Sequence, residues 1–187
     1  MYVLFLHGPA AAGKLTVARP LAQRLGVRLF HNHLTVDLST ALFDFGTAGF
    51  VQLREEIWLR SFSLAAREGV SFVFTFQPEA SVGLTFPQDC RAAVEGHGGH
   101  VHFVALDCPE SAVEERIAAS SRAEFGKLRD VELYKQLRDA GAFEYPPMPE
   151  PMVRVDTSRC APEEAVERIV TRLQDVIGRE SSEVKSD

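Results

Sequence analysis

Cysteine is scarce in this chain, which contains only Cys90, Cys108 and Cys160. The three are far apart, odd in number, and never separated by two residues. This pattern excludes a disulfide scaffold and a zinc knuckle. We expect a protein of the reducing cytoplasm.

Long apolar runs and excess positive charge are also lacking. No run of about 18 apolar residues is present. The apolar stretch near the N-terminus ends at His7 and Gly8 and has neither the basic flank nor the cleavage site of a secretion signal. The formal net charge of -6 disfavours a broad basic surface for nucleic acid or an anionic membrane. We therefore expect small-molecule partners, no nucleic acid and no membrane; the oligomeric state is left open.

Composition and periodicity predict one α/β domain over residues 1–178. The 187 residues are 45% hydrophobic and 25% charged, as in soluble globular domains. Apolar runs predict strands at residues 2–7, 27–30, 71–76, 101–106 and 152–155, and helical patterns separate them. This alternation predicts a three-layer sandwich whose five-stranded parallel sheet binds ligands beyond the carboxyl ends of its strands. The polar tail from residue 179 to 187 is predicted to be disordered.

A glycine-rich motif follows the first strand and precedes a helix. It reads Gly8-Pro9-Ala10-Ala11-Ala12-Gly13-Lys14 and fits Gly-x-x-x-x-Gly-Lys, in which glycines let the backbone approach phosphates and the lysine reaches the β- and γ-phosphates. Only four of the twenty Lys and Arg residues are lysines, so a lysine at this position is less easily accidental. The motif predicts binding of a nucleoside triphosphate, in the first place ATP.

The residue after the lysine departs from the full motif. A Ser or Thr there would ligate Mg²⁺, whereas this chain has Leu15 followed by Thr16. One residue on a helix is a rotation of about 100°, so Thr16 faces differently and is a candidate for either the α-phosphate or the metal. The cofactors predicted are ATP and Mg²⁺, with the metal site as the weak point of the motif.

Polar residues after the second strand are candidates for an acceptor pocket, because the carboxyl end of that strand is expected beside the glycine-rich motif. Asp37 is the candidate to orient or deprotonate an acceptor hydroxyl, with an N-cap or a solvated loop as the alternative. Asn32, within the predicted polar turn at residues 31–33, is a candidate to line the pocket. Metal binding by His31 and His33 is disfavoured, and the alternatives for these residues are a structural turn or polar lining of the pocket.

Arg54 lies in a helix of bulky apolar residues, predicted over residues 50–68 and largely buried. An unpaired charge is costly there, so we expect Arg54 to bind an anionic substrate group or to pair with Glu55 or Glu56. The third strand ends without the carboxylate that often binds metal-bound water, and Gln77 stands there instead.

A basic segment over residues 114–130 has the composition of a closing lid. Arg116, Arg122 and Lys127 fall within twelve residues, among small and hydroxyl side chains. Such cations stabilise a transferring phosphoryl group while closure excludes water. The alternative is a solvated helix face with Glu–Arg pairs. After the fifth strand, Asp156 and Thr157 are candidates to pack against the nucleotide base, or form an ordinary helix entry.

Taken in order, these pieces resemble the P-loop small-molecule kinases grouped around shikimate kinase, gluconate kinase, chloramphenicol phosphotransferase and the nucleoside monophosphate kinases. The resemblance covers almost the whole chain, and its specific part is residues 8–14. It implies a parallel sheet with a helical lid, Mg-ATP as donor, and a hydroxyl or phosphate of a small metabolite as acceptor. Shikimate itself is disfavoured, because Gln77-Pro78-Glu79 stands where a Gly-Gly loop is expected.

Two functions compete with this hypothesis of an ATP-dependent phosphotransferase. A nucleotide-binding regulatory or switch protein with slow or no turnover is suggested by Leu15 and by the missing carboxylate after the third strand. A kinase acting on a nucleic-acid end requires a basic groove, which the acidic composition disfavours.

Overall fold

The computed structural model describes residues 1–118 and 130–183, with side chains described up to residue 179. The elements in chain order are β1 (Tyr2–His7), α1 (Lys14–Leu25), β2 (Arg28–His31), α2 (Asn32–Thr40), α3 (Ala48–Arg67), β3 (Phe72–Phe76), α4 (Phe86–Glu95), β4 (His100–Asp107), α5 (Glu110–Ala118), α6 (Val131–Asp139), β5 (Val153–Asp156) and α7 (Pro162–Glu183).

The five strands form one parallel sheet in the order β2-β3-β1-β4-β5. β1 is therefore central, and His7 at its end lies level with Phe76 of β3 and Ala105 of β4. The predicted α/β architecture is confirmed. β2 lies at one edge and is separated from β1 by β3, so its carboxyl end is one strand farther from the β1 loop than the sequence suggested.

Alternate residues of the central strands face two separate cores. Leu4 and Leu6 of β1 pack with α1 and α7, whose buried residues include Leu21 and Ile169. Phe5 faces the opposite way, toward α3 and α4, and lies in a cluster rich in phenylalanine. Both faces are thus covered, which explains why the strands read as nearly continuous apolar runs.

Three local predictions from the sequence are wrong. Residues 31–33 are not a turn: His31 ends β2 and α2 begins directly at Asn32. Helix α3 is not largely buried but buries one stripe at four-residue spacing, formed by Phe50, Arg54, Trp58, Phe62 and Ala66. Helix α7 continues to Glu183, so residues 179–183 are helical although the tail from residue 179 is predicted to be disordered. Among the described residues, no helix is long and apolar enough to cross a membrane.

Candidate functional site

The loop between β1 and α1 has a backbone that few sequences allow. Gly13 has φ 77° and Ala11 has φ 58°, the one positive φ at a non-glycine residue in the described chain. Left-handed backbone costs an alanine on the order of 1 kcal/mol. A Cβ on Gly8 would collide with the carbonyl oxygen of Leu106, so this position requires glycine for close approach to β4. We call residues 8–14 the phosphate loop.

Lys14 is the first residue of α1 and its side chain folds back over the phosphate loop. Its Nζ donates to the carbonyl oxygens of Gly8 at 2.8 Å and Pro9 at 2.7 Å. The first turn of α1 contains no acidic residue, and Gly13 offers no side-chain cap. Main-chain N–H groups at a helix N-terminus attract anions. The loop thus combines one ammonium group with a helix N-terminus at the centre of the sheet.

Arg116 of α5 ties the phosphate loop to the loop after β5. Its Nη1 donates to the carbonyl oxygen of Ala11 at 3.2 Å and to Oγ1 of Thr157 at 3.1 Å, and its Nη2 donates to the main-chain oxygen of Thr157 at 2.6 Å. The hydroxyl of Thr157 in turn donates to the carbonyl oxygen of Ala12 at 3.0 Å. The structure therefore brings Arg116 and Thr157 together against the phosphate loop, in an arrangement that holds the loop's shape.

Asp156 shapes the same β5–α7 loop from its exposed side. Its Oδ1 accepts from the main-chain N of Ser158 at 2.9 Å and from Oγ of Ser158 at 2.6 Å. These hydrogen bonds hold the pKa of the Asp156 carboxyl below its usual value, assisted by Arg159 and Arg116. The carboxylate thus forms a turn that precedes α7.

Two positions that would supply Mg²⁺ ligands in the full phosphate-binding motif do not fit that ion. Leu15 occupies the position of the usual hydroxyl ligand, and Thr16 is exposed on α1. β3, which lies beside β1, leads into Gln77 and not into a carboxylate. In the part of the chain that the structure describes, no cluster of three His, Cys, Asp or Glu side chains is suited to a metal.

His7 is a buried polar residue that no sequence pattern indicated. It is the last residue of β1, is 5% exposed, and both ring nitrogens lack a hydrogen-bond partner among the described residues. Burial, with smaller contributions from the charges of Arg154 and Lys14, lowers its pKa to about 4. Its ring centre lies 6.4 Å from that of Tyr145. A neutral imidazole therefore adjoins the phosphate loop.

The acceptor candidates on α2 occupy different faces of that helix. The main-chain N of Asn32 donates to Oγ1 of Thr75 at 3.1 Å, which fixes the start of α2 to β3. Oδ1 of Asn32 is buried without a partner among the described residues. Asp37 lies on the exposed side of α2. The structure therefore places Asn32 against the sheet edge and Asp37 toward solvent.

Arg54 is buried and ion-paired, but not with either predicted partner. Its Nη1 donates to Oε1 of Glu79, beyond the end of β3, and its Nη2 donates to Oγ of Ser81 at 3.3 Å. Its guanidinium carbon is 5.1 Å from the ring centre of Phe50 and 4.9 Å from that of Trp58. Glu55 instead accepts from the main-chain N of Gly83 at 2.8 Å. The apolar helix predicted a partner for Arg54, but only the fold identifies it.

The remaining lid predictions fall mostly outside the described residues. Arg122 and Lys127 lie between residues 118 and 130 and have no described position. On either side, α5 and α6 contact each other through Arg138, which pairs with Glu110 and Glu114. Helices α5 and α6 and the phosphate loop share a small apolar cluster that includes Ala10 and Tyr134.

A shallow apolar groove on the outer surface of α3 and α4 is separate from this site. Its volume is about 790 Å³, and it is lined by residues such as Leu53, Ile57 and Ala92. It contains no residue of the phosphate loop. The groove is therefore not the nucleotide site that the sequence predicts.

Comparisons with known proteins identify the fold. No protein-family model matches the chain, and no curated protein matches its sequence. A sugar kinase from Janibacter sp. aligns over 93% of this chain and 95% of its own, with 20% identity and a TM-score of 0.65. A gluconokinase from Sinorhizobium meliloti aligns over 97% and 96%, with 18% identity and a TM-score of 0.62.

The APS kinase of Mycobacterium tuberculosis, solved in complex with AMPPNP and APS, aligns over 92% of this chain and 97% of its own. The two are 16% identical and the TM-score is 0.65. The chain therefore has the fold of the P-loop small-molecule kinases, over nearly its full length.

Proposed function

We propose that this chain is a cytoplasmic ATP-dependent phosphotransferase that moves the γ-phosphoryl group to a hydroxyl or phosphate of a small metabolite. The observation that carries this proposal is the phosphate loop. Gly8 fits closely against β4, Ala11 and Gly13 have left-handed backbone, and Lys14 begins α1, so the loop forms one anion cradle. Phosphoryl transfer depends mainly on such positioning and on charge neutralisation.

In this proposal the ammonium group of Lys14 exchanges its two loop carbonyls for the β- and γ-phosphate oxygens of ATP. The N–H groups at the start of α1 bind the same phosphates, and Thr16 hydrogen-bonds the α-phosphate. The loop containing Asp156 and Thr157 packs beside the nucleotide base. Arg116 keeps that loop and the phosphate loop at a fixed separation, which supports binding geometry without touching the reacting atoms.

The acceptor side of the proposal uses α2 and the basic segment after α5. Asn32 lines the acceptor pocket, and Asp37 orients the acceptor hydroxyl or removes its proton. Arg122 stabilises the charge on the transferring phosphoryl group. The structural neighbours support a small acceptor, since they are a sugar kinase, an APS kinase and a gluconokinase.

Phosphoryl transfer itself is the decisive experiment. The purified protein is incubated with γ-labelled ATP, with and without Mg²⁺, and a panel of sugars, nucleosides, nucleotides and hydroxy acids. We expect label in one acceptor class and ADP formed in equal amount. Tight ATP binding with no label in any acceptor would contradict the proposal.

A nucleotide-binding switch is the second candidate, and Leu15 is the observation that favours it. Without a hydroxyl at this position, and with Gln77 in place of a carboxylate directly after β3, the loop is suited to binding more than to turnover. A switch predicts that ATP and ADP produce different hydrogen-exchange protection near the phosphate loop while no acceptor is labelled. Transfer to an acceptor at a rate above hydrolysis excludes it.

A further inference from the structure

Arg54 is inaccessible to a ligand as the protein stands. Its side chain is 1% exposed, its guanidinium lies near the faces of Phe50 and Trp58, and its charge is neutralised by Glu79. A buried charge that keeps its partner is stable, whereas losing the partner is costly. An anionic ligand would therefore have to displace Glu79 before it could reach this arginine.

Glu79, the acidic member of the pair, is the one that is accessible to solvent. The Glu79 side chain is 18% exposed, and Ser81, which donates to Oε1 of Glu79 at 3.0 Å, is exposed. Carboxylate oxygens accept hydrogen bonds from hydroxyl and ammonium groups but have no proton to donate to the carboxylate of a ligand. This surface favours ligands that carry hydrogen-bond donors.

Glu79 lies at the edge of the sheet where ligands of this fold collect. It follows β3, the strand beside β1 and its phosphate loop. The main-chain N of Ala80 donates to the carbonyl oxygen of Ala142 at 3.0 Å, and Gly83 is tied to Glu55. Residues 79–83 are therefore held in place from two sides beyond the carboxyl end of β3.

We propose that Glu79 and Ser81 form a specificity subsite for the acceptor, which recognises a hydroxyl-rich or amino-bearing molecule and rejects a carboxylate. This inference rests on the proposed function for the identity of the ligand as an acceptor. It excludes recognition of an acceptor carboxylate by Arg54, the role that the sequence had suggested for that residue.

Acceptor pairs that share a carbon skeleton provide the test. Dissociation constants are measured by calorimetry in the presence of AMPPNP for D-glucose, D-glucuronate and D-glucosamine, which all keep the pyranose ring. We expect at least one neutral or amino sugar to bind about tenfold more tightly than its carboxylate counterpart, as one hydrogen bond to a charged group allows. Glucosamine against glucose distinguishes ammonium from hydroxyl recognition.

The variant Glu79→Gln keeps an oxygen for Arg54 but removes the negative charge. We expect it to reduce the preference for the neutral sugar about tenfold, while Glu95→Gln, which alters an exposed pair with Arg91, leaves the preference unchanged. If Glu79→Gln does not fold, the inference is tested by the preference of the unaltered protein for neutral or amino sugars over the carboxylate. Tighter binding of carboxylates, binding of none of these sugars, or an unchanged preference in folded Glu79→Gln overturns the inference.

The proposed function fails in a different way. A sugar that binds with the expected preference but receives no phosphoryl group from ATP contradicts the phosphotransferase and leaves the recognition by Glu79 standing. Mass spectrometry of the sugar after incubation with ATP gives this second result.

Discussion

Arg116 holds Thr157 by two hydrogen bonds, from Nη1 to the side-chain oxygen at 3.1 Å and from Nη2 to the main-chain oxygen at 2.6 Å. The same guanidinium reaches the phosphate loop at Ala11. Two loops that follow β1 and β5, with β4 between them in the sheet, are thereby fixed to each other by one side chain from α5.

Replacing Arg116 tests this connection. We expect Arg116→Ala to lower the free energy of unfolding by about 2 kcal/mol, since hydrogen bonds from a charged donor are lost, and to weaken ATP binding. Arg116→Lys should retain part of the stability and part of the ATP affinity because it keeps one donor group. Urea unfolding and calorimetry measure the two effects. Arg24→Ala, which removes an exposed pair with Glu167, is the control and should change stability little.

Lys14→Ala tests the anion cradle directly. We expect ATP affinity to fall at least about tenfold, because the loop loses its one ammonium group. Titration with a fluorescent ATP analogue measures it. Lys135→Ala, on α6, should bind as the unaltered protein does. Unchanged affinity in folded Lys14→Ala would remove the basis for both candidate functions.

Gly8→Ala tests the close approach to β4. The new Cβ would collide with the carbonyl oxygen of Leu106, so we expect a loss of more than about 2 kcal/mol of stability or failure to fold. Gly178→Ala is the matched control, because its Cβ meets nothing within 4 Å; in a helix it should stabilise by up to about 1 kcal/mol. Thermal unfolding compares the two.

His7 makes stability depend on pH in a defined window. Its pKa is lowered from 6.5 to about 4 in the folded protein, so the unfolded chain binds more protons between these values. The contribution of neutral His7 to the free energy of unfolding should be fully present above about pH 6.5. As the pH decreases to about 4, the free energy of unfolding should fall by up to about 3 kcal/mol. Urea unfolding across this range should show a smaller decrease in the free energy of unfolding for His7→Leu than for the unaltered protein. The control His97→Leu should show the same decrease as the unaltered protein.

Leu15→Ser tests whether the missing hydroxyl limits metal use. We compare ATP affinity with Mg²⁺ and with EDTA. Mg²⁺ should increase the affinity of the variant by a larger factor than that of the unaltered protein, since a Ser at this position ligates the ion. Leu15→Ala removes the same apolar side chain without adding a ligand, so the effect of Mg²⁺ on its ATP affinity should be no larger than in the unaltered protein. Equal factors in all three proteins would show that the position does not contact the metal.

Much of the fold follows from local pattern. The apolar runs predicted β1, β3 and β4 because strands covered on both faces contain few polar residues. The short edge strands β2 and β5 are less buried, and their few apolar residues were enough to locate them. The Gly8 to Lys14 motif could be located from residue types alone, because few backbone conformations suit a turn that binds phosphate. The first turn of α2 was missed because His31 and Asn32 resemble a polar turn in sequence.

The sequence by itself determined the α/β class, the position of the glycine-rich loop between β1 and α1 and the need of Arg54 for a partner, since each depends on residues close together in the chain. Only the tertiary structure decided that the partner is Glu79, 25 residues away, and that Arg116 joins Ala11 to Thr157. These pairings depend on strand order, which places β3 and β4 beside β1. Contacts between distant residues are set by how the helices pack on that sheet, which residue types alone do not encode.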